Sequence, residues 1–167
     1  MRQSSAPGLG ELLRHLTDLL DRGSEARYRA SGLAMRARYT PLLRVLGDGP
    51  QTVSELQQRS CVTQGAVSQT IKLMESDGLV SRVKGTDARS RRVSLTRDGE
   101  ELRARLLQHW AARLIAIEEL EHEVGVPLRV VLADAIEAML AEGFEERIAR
   151  AEISLDSNNR DFEKTDG

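Results

Sequence analysis

The sequence has few aromatic residues and almost no cysteine. Its 167 residues include one Trp, two Tyr, two Phe and a single Cys. So few rings exclude a module that stacks single-stranded bases on an aromatic platform, because such a surface needs several rings together. One thiol cannot form an internal disulfide or a multi-thiolate zinc site, so packing must hold the fold together.

Long apolar runs and catalytic motifs are also missing. No apolar run approaches the roughly 20 residues of a membrane span, and the first residues lack the apolar segment and cleavage site of a secretory signal. We therefore expect a cytoplasmic protein without membrane contact. No Gly-rich phosphate loop, nucleophile elbow or HExxH motif occurs, so we expect neither an enzyme nor a bound cofactor.

The net charge of −2 conceals a division along the chain. Residues 1–35 have a net charge of +1, residues 36–105 of +5 and residues 106–167 of −8. The segment 82–97 alone holds six basic side chains and one acidic side chain. A basic segment in an acidic chain can contact phosphate locally, whereas the alternative is a solvated loop without a function.

Helical periodicity marks the N-terminal part of the chain. Leucines three and four residues apart predict a helix over residues 9–20, and we expect Gly23 and Ser24 to end it. A second helical stretch is predicted over 26–46, with a helix start or a kink at Pro41.

Two long helices are predicted in the C-terminal part. An apolar stripe indicates one over 97–124, capped by Thr96, and residues 125–127 break it. The apolar pattern then predicts a single last helix that includes Ile148. From about Leu155 the sequence is polar, and we expect a frayed tail.

Two short helices and a hairpin are predicted between these regions. Thr52 and Glu55 have the spacing of a capping box, which starts a helix over 53–59. After a short connection, Thr63 caps a second helix that Gly78 ends. Two β-type runs with a turn-rich loop between them then predict a hairpin, over 79–83, 85–90 and 92–95.

The second short helix has two chemically different faces. At 100° per residue its apolar residues fall on one side, and the opposite side consists of Gly65, Ser68, Gln69 and Lys72. Gln can bond bidentately to adenine and Ser to several base edges, whereas Lys72 is better placed for phosphate. The helix start at Thr63 and Gln64 offers unpaired N–H groups to a phosphate oxygen. The alternative is an ordinary amphipathic surface helix.

The order helix, short turn, helix and β-hairpin is the layout of a winged helix-turn-helix. We therefore predict a mainly α fold with a small β-hairpin wing (α+β), in which long dimerisation helices flank a winged helix-turn-helix. The predicted segments are an N-terminal helical dimerisation segment (1–38), the winged helix-turn-helix (39–100), long C-terminal dimerisation helices (101–153) and a polar tail (154–167).

Several motifs between residues 39 and 106 are specific in combination. They are GPQTVSEL at 49–56, VTQGAVS at 62–68 and MESDGLVSR at 74–82. The most specific part is DAR at 87–89, followed at a fixed distance by VSLT at 93–96 and then Gly99. In these motifs the sequence resembles the MarR family of bacterial transcription regulators.

The resemblance implies how the chain contacts DNA. Residues 64–72 would lie in the major groove, and Arg89, at the wing tip, would reach into the minor groove, where narrow A·T tracts attract arginine. Asp87 would hold the guanidinium or the wing. Strand alternation should leave only one of Arg91 and Arg92 on the side of Arg89. The wing contacts implied in this way are Lys84, Asp87, Arg89 and Arg91.

The resemblance also implies a function and an assembly. It implies a homodimer that binds a pseudo-palindromic operator in double-stranded DNA, represses transcription, and is released by a small-molecule or oxidant signal. Two alternatives belong to other classes. One is a metal-responsive winged-helix sensor, against which the lack of a Cys/His ligand set counts, and the other is a winged-helix module that binds protein only.

Three further residues each have two interpretations. Cys61 precedes the second short helix, where a helix N-terminus can lower a thiol pKa, so it is either a redox site or a small packed residue. His109 and Trp110 lie where an effector pocket would open, although a core or interface role explains Trp110 more simply. The three histidines are far apart in sequence, and no cluster has metal-ligand spacing, so we predict no metal site.

Overall fold

The computed structural model describes residues 6–84 and 91–163, with side chains as far as residue 156. Its mainly helical fold with a two-stranded hairpin confirms the predicted fold class. The predicted hairpin loop over 85–90 lies outside the described residues. The elements in chain order are α1 (Leu9–Ala30), a 3-10 helix (Ala37–Tyr39), α2 (Thr40–Leu46), α3 (Val53–Ser60), α4 (Gln64–Ser76), β1 (Val80–Lys84), β2 (Arg91–Leu95), α5 (Arg97–Val124), α6 (Leu128–Ala141) and α7 (Phe144–Glu163).

The chain divides into two compact units, Met1–Leu114 and Ile115–Gly167. The first unit contains the hydrophobic core, and burying each large apolar side chain there stabilises the fold by roughly 1.5–3 kcal/mol. α1 to α5 and both strands contribute to it, so the helices and the hairpin share one core. Its most buried side chains include Tyr28, Tyr39, Leu42, Leu43, Leu56, Val67, Ile71, Met74, Val93 and Leu106.

The two short helices form where the sequence predicts them. The Thr52 hydroxyl accepts from the Glu55 N–H at 3.2 Å, and the Glu55 carboxylate accepts from the Thr52 N–H at 2.7 Å. Thr63 is the N-cap of α4, and Gly78 follows that helix with φ +72°, a conformation that side chains with a Cβ rarely adopt. The predicted capping box, N-cap and C′ glycine are therefore confirmed.

The wing is attached to the rest of the unit by backbone hydrogen bonds. β1 and β2 pair antiparallel, with Val80 opposite Leu95 and Lys84 opposite Arg91. On the other edge of β2, Gln51 and Val93 exchange N–H···O bonds of 2.9 and 2.7 Å. An isolated β-bridge therefore joins the residues before α3 to the two-stranded wing, a pairing that the sequence did not indicate.

The predicted helix end at Gly23 and Ser24 is wrong. α1 continues through both residues to Ala30. The Ser24 hydroxyl donates to the Leu20 carbonyl at 2.8 Å, so its hydrogen bond is made within the helix. An interior glycine costs a helix only about 1 kcal/mol, which neighbouring residues that favour helix can offset.

The helical stretch predicted over 26–46 is also wrong in its middle part. The chain leaves α1 at Ser31 and turns at Gly32, where φ is +67°. A non-helical segment and the 3-10 helix follow before α2 begins at Thr40. Pro41 stands in the first turn of α2, as the predicted helix start required.

For the C-terminal part, the prediction of the first long helix is correct and the prediction of the second is wrong. α5 has the predicted bounds, and the Gly99 N–H donates to the Thr96 hydroxyl at 3.1 Å as its cap. The single last helix is instead two, because the chain is extended at Glu142 and the Gly143 N–H donates to the Glu146 carboxylate at 2.8 Å. The backbone of α7 then stays helical to residue 163, so the fraying expected from about Leu155 is wrong over that range.

Candidate nucleic-acid interface

The helix α4 presents one buried and one exposed face. The apolar residues predicted to face the core are buried, with Val67 and Met74 fully so and Ile71 exposed by 1%. Gln64, Gly65, Gln69 and Lys72 are exposed, and Ser68 is partly exposed. The orientation expected from the sequence is therefore present, with the small and polar residues directed away from the core.

The polar face of α4 is not occupied by other parts of the described chain. Among residues 6–84 and 91–156, no ion pair or side-chain hydrogen bond involves Gln64, Ser68, Gln69 or Lys72. Thr63 differs, because its hydroxyl accepts from the Ala66 N–H at 3.4 Å and so caps the helix. The remaining side chains can therefore bind an external partner without first breaking an internal hydrogen bond.

The turn between α3 and α4 has an unusual backbone at Cys61. Its φ of +54° makes it the only non-glycine residue with positive φ among the described residues. The residue is the C-cap of α3, and its thiol is exposed and unbonded to another cysteine. The interpretation of Cys61 as a small packed residue is wrong, since its side chain faces solvent.

Arg91 and Arg92, which are adjacent in β2, have different contacts. Arg92 donates to the Pro50 carbonyl at 2.8 Å and to the Glu55 carboxylate at 3.2 Å, so it faces the start of α3. Arg91 is exposed, lies opposite the exposed Lys84, and has no ion pair with any described residue. Arg91 and Arg92 therefore face different surroundings. Which of them shares the side of Arg89 stays a prediction, because residue 89 is not among the described residues. Asp87 and Arg89 lie outside the described residues.

Two hydrogen bonds from Thr96, just before α5, join it to the turn after α4 at the base of the wing. The Thr96 hydroxyl donates to the Gly78 carbonyl at 2.6 Å, and the Thr96 N–H donates to the Leu79 carbonyl at 3.0 Å. A Cβ on Gly99 would lie 2.1 Å from that Leu79 carbonyl oxygen, so α5 can approach the turn only through a glycine. The sequence singled out Thr96 as a cap, but not its bond to Gly78.

A second tie joins the end of α4 to the segment before α2. The Tyr39 hydroxyl donates to the Asp77 carboxylate at 2.7 Å. Burial, followed by this hydrogen bond to Asp77, raises the pKa of Tyr39 to about 12. The phenol therefore stays protonated as a donor at all ordinary pH values. Sequence reasoning missed this pair, because nothing local links positions 38 residues apart.

The two candidate effector residues lie on the same helix with different contacts. The His109 ring meets the Tyr28 ring edge-on, with centroids 5.6 Å apart. Trp110 packs partly buried against the core, which supports the core interpretation. Its indole N–H is nevertheless buried and finds no acceptor in the described part of the chain. The same is true of the Nε–H of Arg113, one turn further along α5.

An acidic side chain and a groove lie on α1. Burial raises the pKa of Asp21, and the charge of Arg113 partly opposes that rise. An open groove of about 370 Å³ along the same helix is lined by Leu13, Arg14, Thr17, Asp18 and Asp21. Asp21 therefore lines the groove and interacts electrostatically with Arg113. Arg113 is one of three α5 side chains, with Arg103 and Trp110, whose buried N–H has no acceptor among the described residues.

The described residues contain neither a metal-binding cluster nor a membrane-spanning helix. No group of three or more His, Cys, Asp or Glu side chains is placed to hold a metal ion there. None of the described helices combines the length and the apolar character needed to cross a membrane.

Comparison with known proteins confirms the resemblance. Residues 35–92 match the MarR family. No curated protein matches the sequence significantly. The matched segment runs from before α2 to β2, so it contains the helix-turn-helix and most of the wing.

Solved structures with the same fold include several regulators. The M. tuberculosis transcriptional regulator MOSR, solved in complex with DNA, is 25% identical, with a TM-score of 0.63 over 81% of this chain and 97% of that one. A MarR family transcriptional regulator from Silicibacter pomeroyi is 24% identical, with a TM-score of 0.58 over 78% and 94% of the two chains. Bordetella bronchiseptica BpsR, whose DNA binding is regulated by 6-hydroxynicotinic acid, is 19% identical, with a TM-score of 0.55 over 75% and 98%.

Proposed function

We propose that this chain, whose residues 35–92 match the MarR family, binds double-stranded DNA sequence-specifically and represses transcription from the bound site. The single observation that carries the proposal is the exposed polar face of α4, whose side chains have no partner in the described chain. As a regulator of bacterial genes it acts in the cytoplasm, where the DNA is.

Each part of the proposed interface has a distinct role. Ser68 and Gln69 read base edges in the major groove, and Gly65 allows the helix to approach closely. Thr63, Gln64 and Lys72 contact phosphates, which position the helix without reading sequence. In the wing, Lys84 and Arg91 contribute positive charge beside the DNA. Arg89, supported by Asp87, enters the minor groove.

The exposed apolar helices support a homodimer. None of the residues 128–141 of α6 is buried within the single chain. Monomeric proteins rarely leave so much apolar surface uncovered, so these helices are expected to pack against a second copy. A dimer places two recognition helices about one helical turn apart, which predicts a pseudo-palindromic operator. The large apolar side chains exposed on α6 are Val130, Val131, Leu132, Ile136, Met139 and Leu140.

A small-molecule signal is proposed to release the DNA. Trp110 and Arg113 each bury an N–H group that has no acceptor among the described residues, and such groups are costly unless a ligand or water satisfies them. Two donors, one of them on a cation, suit a carboxylate. The related BpsR responds to such a molecule, 6-hydroxynicotinic acid. The ligand would act by binding one arrangement of the dimer more tightly than the other. His109 would line the site, and Cys61 offers an oxidant-sensitive alternative.

Titration of a fluorescent duplex, selected from a random pool, tests the function. We expect binding that weakens steeply with salt, because lysine and arginine contacts to phosphate release counterions. Replacing Gln69 or Arg89 by Ala should reduce affinity for that duplex. If neither change alters the affinity, the DNA-reading assignment is wrong, and a module that binds protein only becomes the better interpretation.

A further inference from the structure

The wing is fastened to both helices of the helix-turn-helix by ion pairs. On β2, Arg92 pairs with Glu55 of α3 at 3.2 Å. On β1, Arg82 pairs with Glu75 of α4 at 2.9 Å. Together with the backbone bridge between Gln51 and Val93, these contacts set the direction in which the hairpin leaves the unit.

Glu55 holds two different elements with its two oxygens. One oxygen accepts from the Thr52 N–H at 2.7 Å and so starts α3, while the other accepts from Arg92 at 3.2 Å. The hydrogen bonds with the Thr52 backbone and hydroxyl lower the pKa of Glu55, and the charge of Arg92 adds to this effect. The carboxylate is therefore charged and oriented near neutral pH, and the helix cap and the wing strand share one anchoring group.

Arg92 is held from two sides. Its guanidinium also donates to the Pro50 carbonyl at 2.8 Å, so the planar fork spans a carbonyl and a carboxylate at once. A lysine has a single point-like head group and cannot reproduce that geometry. Both terminal nitrogens of the Arg92 guanidinium are thus engaged within the chain, although the residue lies in the most basic segment of the sequence.

We propose that Glu55 is a positioning residue for DNA binding: through Arg92 it fixes the wing relative to α4, so that an acidic side chain strengthens the binding of an anionic polymer. The proposal rests on the proposed function. In this proposal Arg92 attaches the wing to α3. The outward-facing Lys84 and Arg91 supply the positive charge at the DNA.

The variant Glu55→Gln separates this role from simple electrostatics. Glutamine keeps the capping box, since either side chain can bond the N-cap N–H. Removing an acid close to DNA should tighten binding through charge alone. The positioning role predicts the opposite sign, roughly a three- to tenfold weaker affinity for the selected duplex. Equal or tighter binding by Glu55→Gln would overturn the proposal.

Two further variants are matched to it. Asp48→Asn makes the same charge change and breaks the ion pair with Arg59 without touching the wing, so its affinity should be unchanged or higher. Arg92→Lys keeps the charge and should weaken binding as Glu55→Gln does, whereas a phosphate contact by residue 92 would tolerate lysine. Weakening by Asp48→Asn, or tolerance of Arg92→Lys, contradicts the proposal.

A mutant cycle of duplex affinities and a measurement of amide hydrogen exchange complete the test. In a Lys84→Gln, Arg91→Gln background the effect of Glu55→Gln should fall by more than half, because the wing then carries less charge to position, and an undiminished effect counts against the proposal. Amide hydrogen exchange should rise in β2 of Glu55→Gln and stay unchanged in α4. This last measurement needs no DNA, so failure of the wild-type chain to bind any duplex refutes the function while the attachment is judged separately.

Discussion

Gln69 and Lys72 lie on the exposed face of α4 and differ in what they can recognise. An amide can pair bidentately with an adenine edge, so Gln69→Ala should cost about 1–3 kcal/mol of binding to the selected duplex and relax base preference at one position. Competition titrations against single-base variants of that duplex measure both effects. A uniform loss against every variant would contradict base reading by Gln69.

Lys72, on the same helix, is expected to contact phosphate and not a base, so its variant can be compared directly with Gln69→Ala. An ammonium group near a phosphate adds affinity without sequence information, so Lys72→Ala should weaken all duplexes alike and lower the salt slope by about 1. The slope of log affinity against log salt gives the result directly. A change in base preference with Lys72→Ala would show that the two roles have been assigned the wrong way round.

Tyr39 gives the folded unit a dependence on alkaline pH. Its pKa is raised to about 12 in the folded chain, above the value of about 10 expected when unfolded. The stabilisation is complete below pH 10 and is lost as the pH rises towards 12, because the unfolded state releases the proton first. Urea unfolding of wild type and Tyr39→Phe should therefore converge over that interval. Curves that stay parallel would mean that the phenol does not titrate as described.

Among the elements, the approach of α5 to the turn after α4 depends on a missing side chain. A Cβ at residue 99 would lie 2.1 Å from the Leu79 carbonyl oxygen, a backbone atom that cannot move aside alone. Gly99→Ala should therefore destabilise the unit by roughly 1–3 kcal/mol, despite the better helix propensity of alanine. Thermal unfolding measures the loss, with Gly65→Ala as the control, since nothing lies within 4 Å of its Cβ. Stabilisation by Gly99→Ala would contradict this packing.

Elements with local signals could be predicted from the sequence. The capping box of Thr52 and Glu55 and the glycine at 78 depend on residues within one turn, so their chemistry is visible in the sequence. The break at Gly143 was not visible, because apolar residues continue on both sides of it. Gly23 misled the prediction in the opposite direction, because it suggested a helix end at a position where α1 continues.

The site could be predicted only where one helix carries it. The faces of α4 follow from a period of 3.6 residues, and burial confirms them. The contacts that hold the wing join residues far apart in the chain, as Arg92 and Pro50 do across 42 positions. Such contacts depend on how the strands pack against the helices. The periodicity of the sequence gives no information on that packing. The described strands of the basic segment therefore carry two kinds of side chain. Lys84 and Arg91 face outward, whereas Arg82 and Arg92 pair with α4 and α3.

At the scale of the whole molecule, the uncovered apolar helices predict a second copy. Ile136 and Leu140 stand one turn apart on α6 and are 52% and 82% exposed. Replacing both by Asp removes no core contact of the single chain, yet it places charges where a partner would pack. We expect sedimentation to show a dimer for wild type and a monomer for the double variant at micromolar concentration, with duplex binding weakened.

A conservative change on the same helix is the control for that experiment. Glu137→Gln alters an exposed polar side chain of α6 and should leave the dimer intact. A wild-type chain that sediments as a stable folded monomer would refute the assembly, whatever the variants do.

Whether this chain reads DNA is best tested by letting the wild-type chain select duplexes from a random pool. We expect enrichment of one inverted repeat whose half-sites lie about 10–10.5 base pairs apart, centre to centre. The Gln69→Ala variant should select the same repeat with the base preference relaxed at one position of each half-site. A bound pool that remains random, or no retention of duplex at low salt, would contradict the claim that this chain reads DNA.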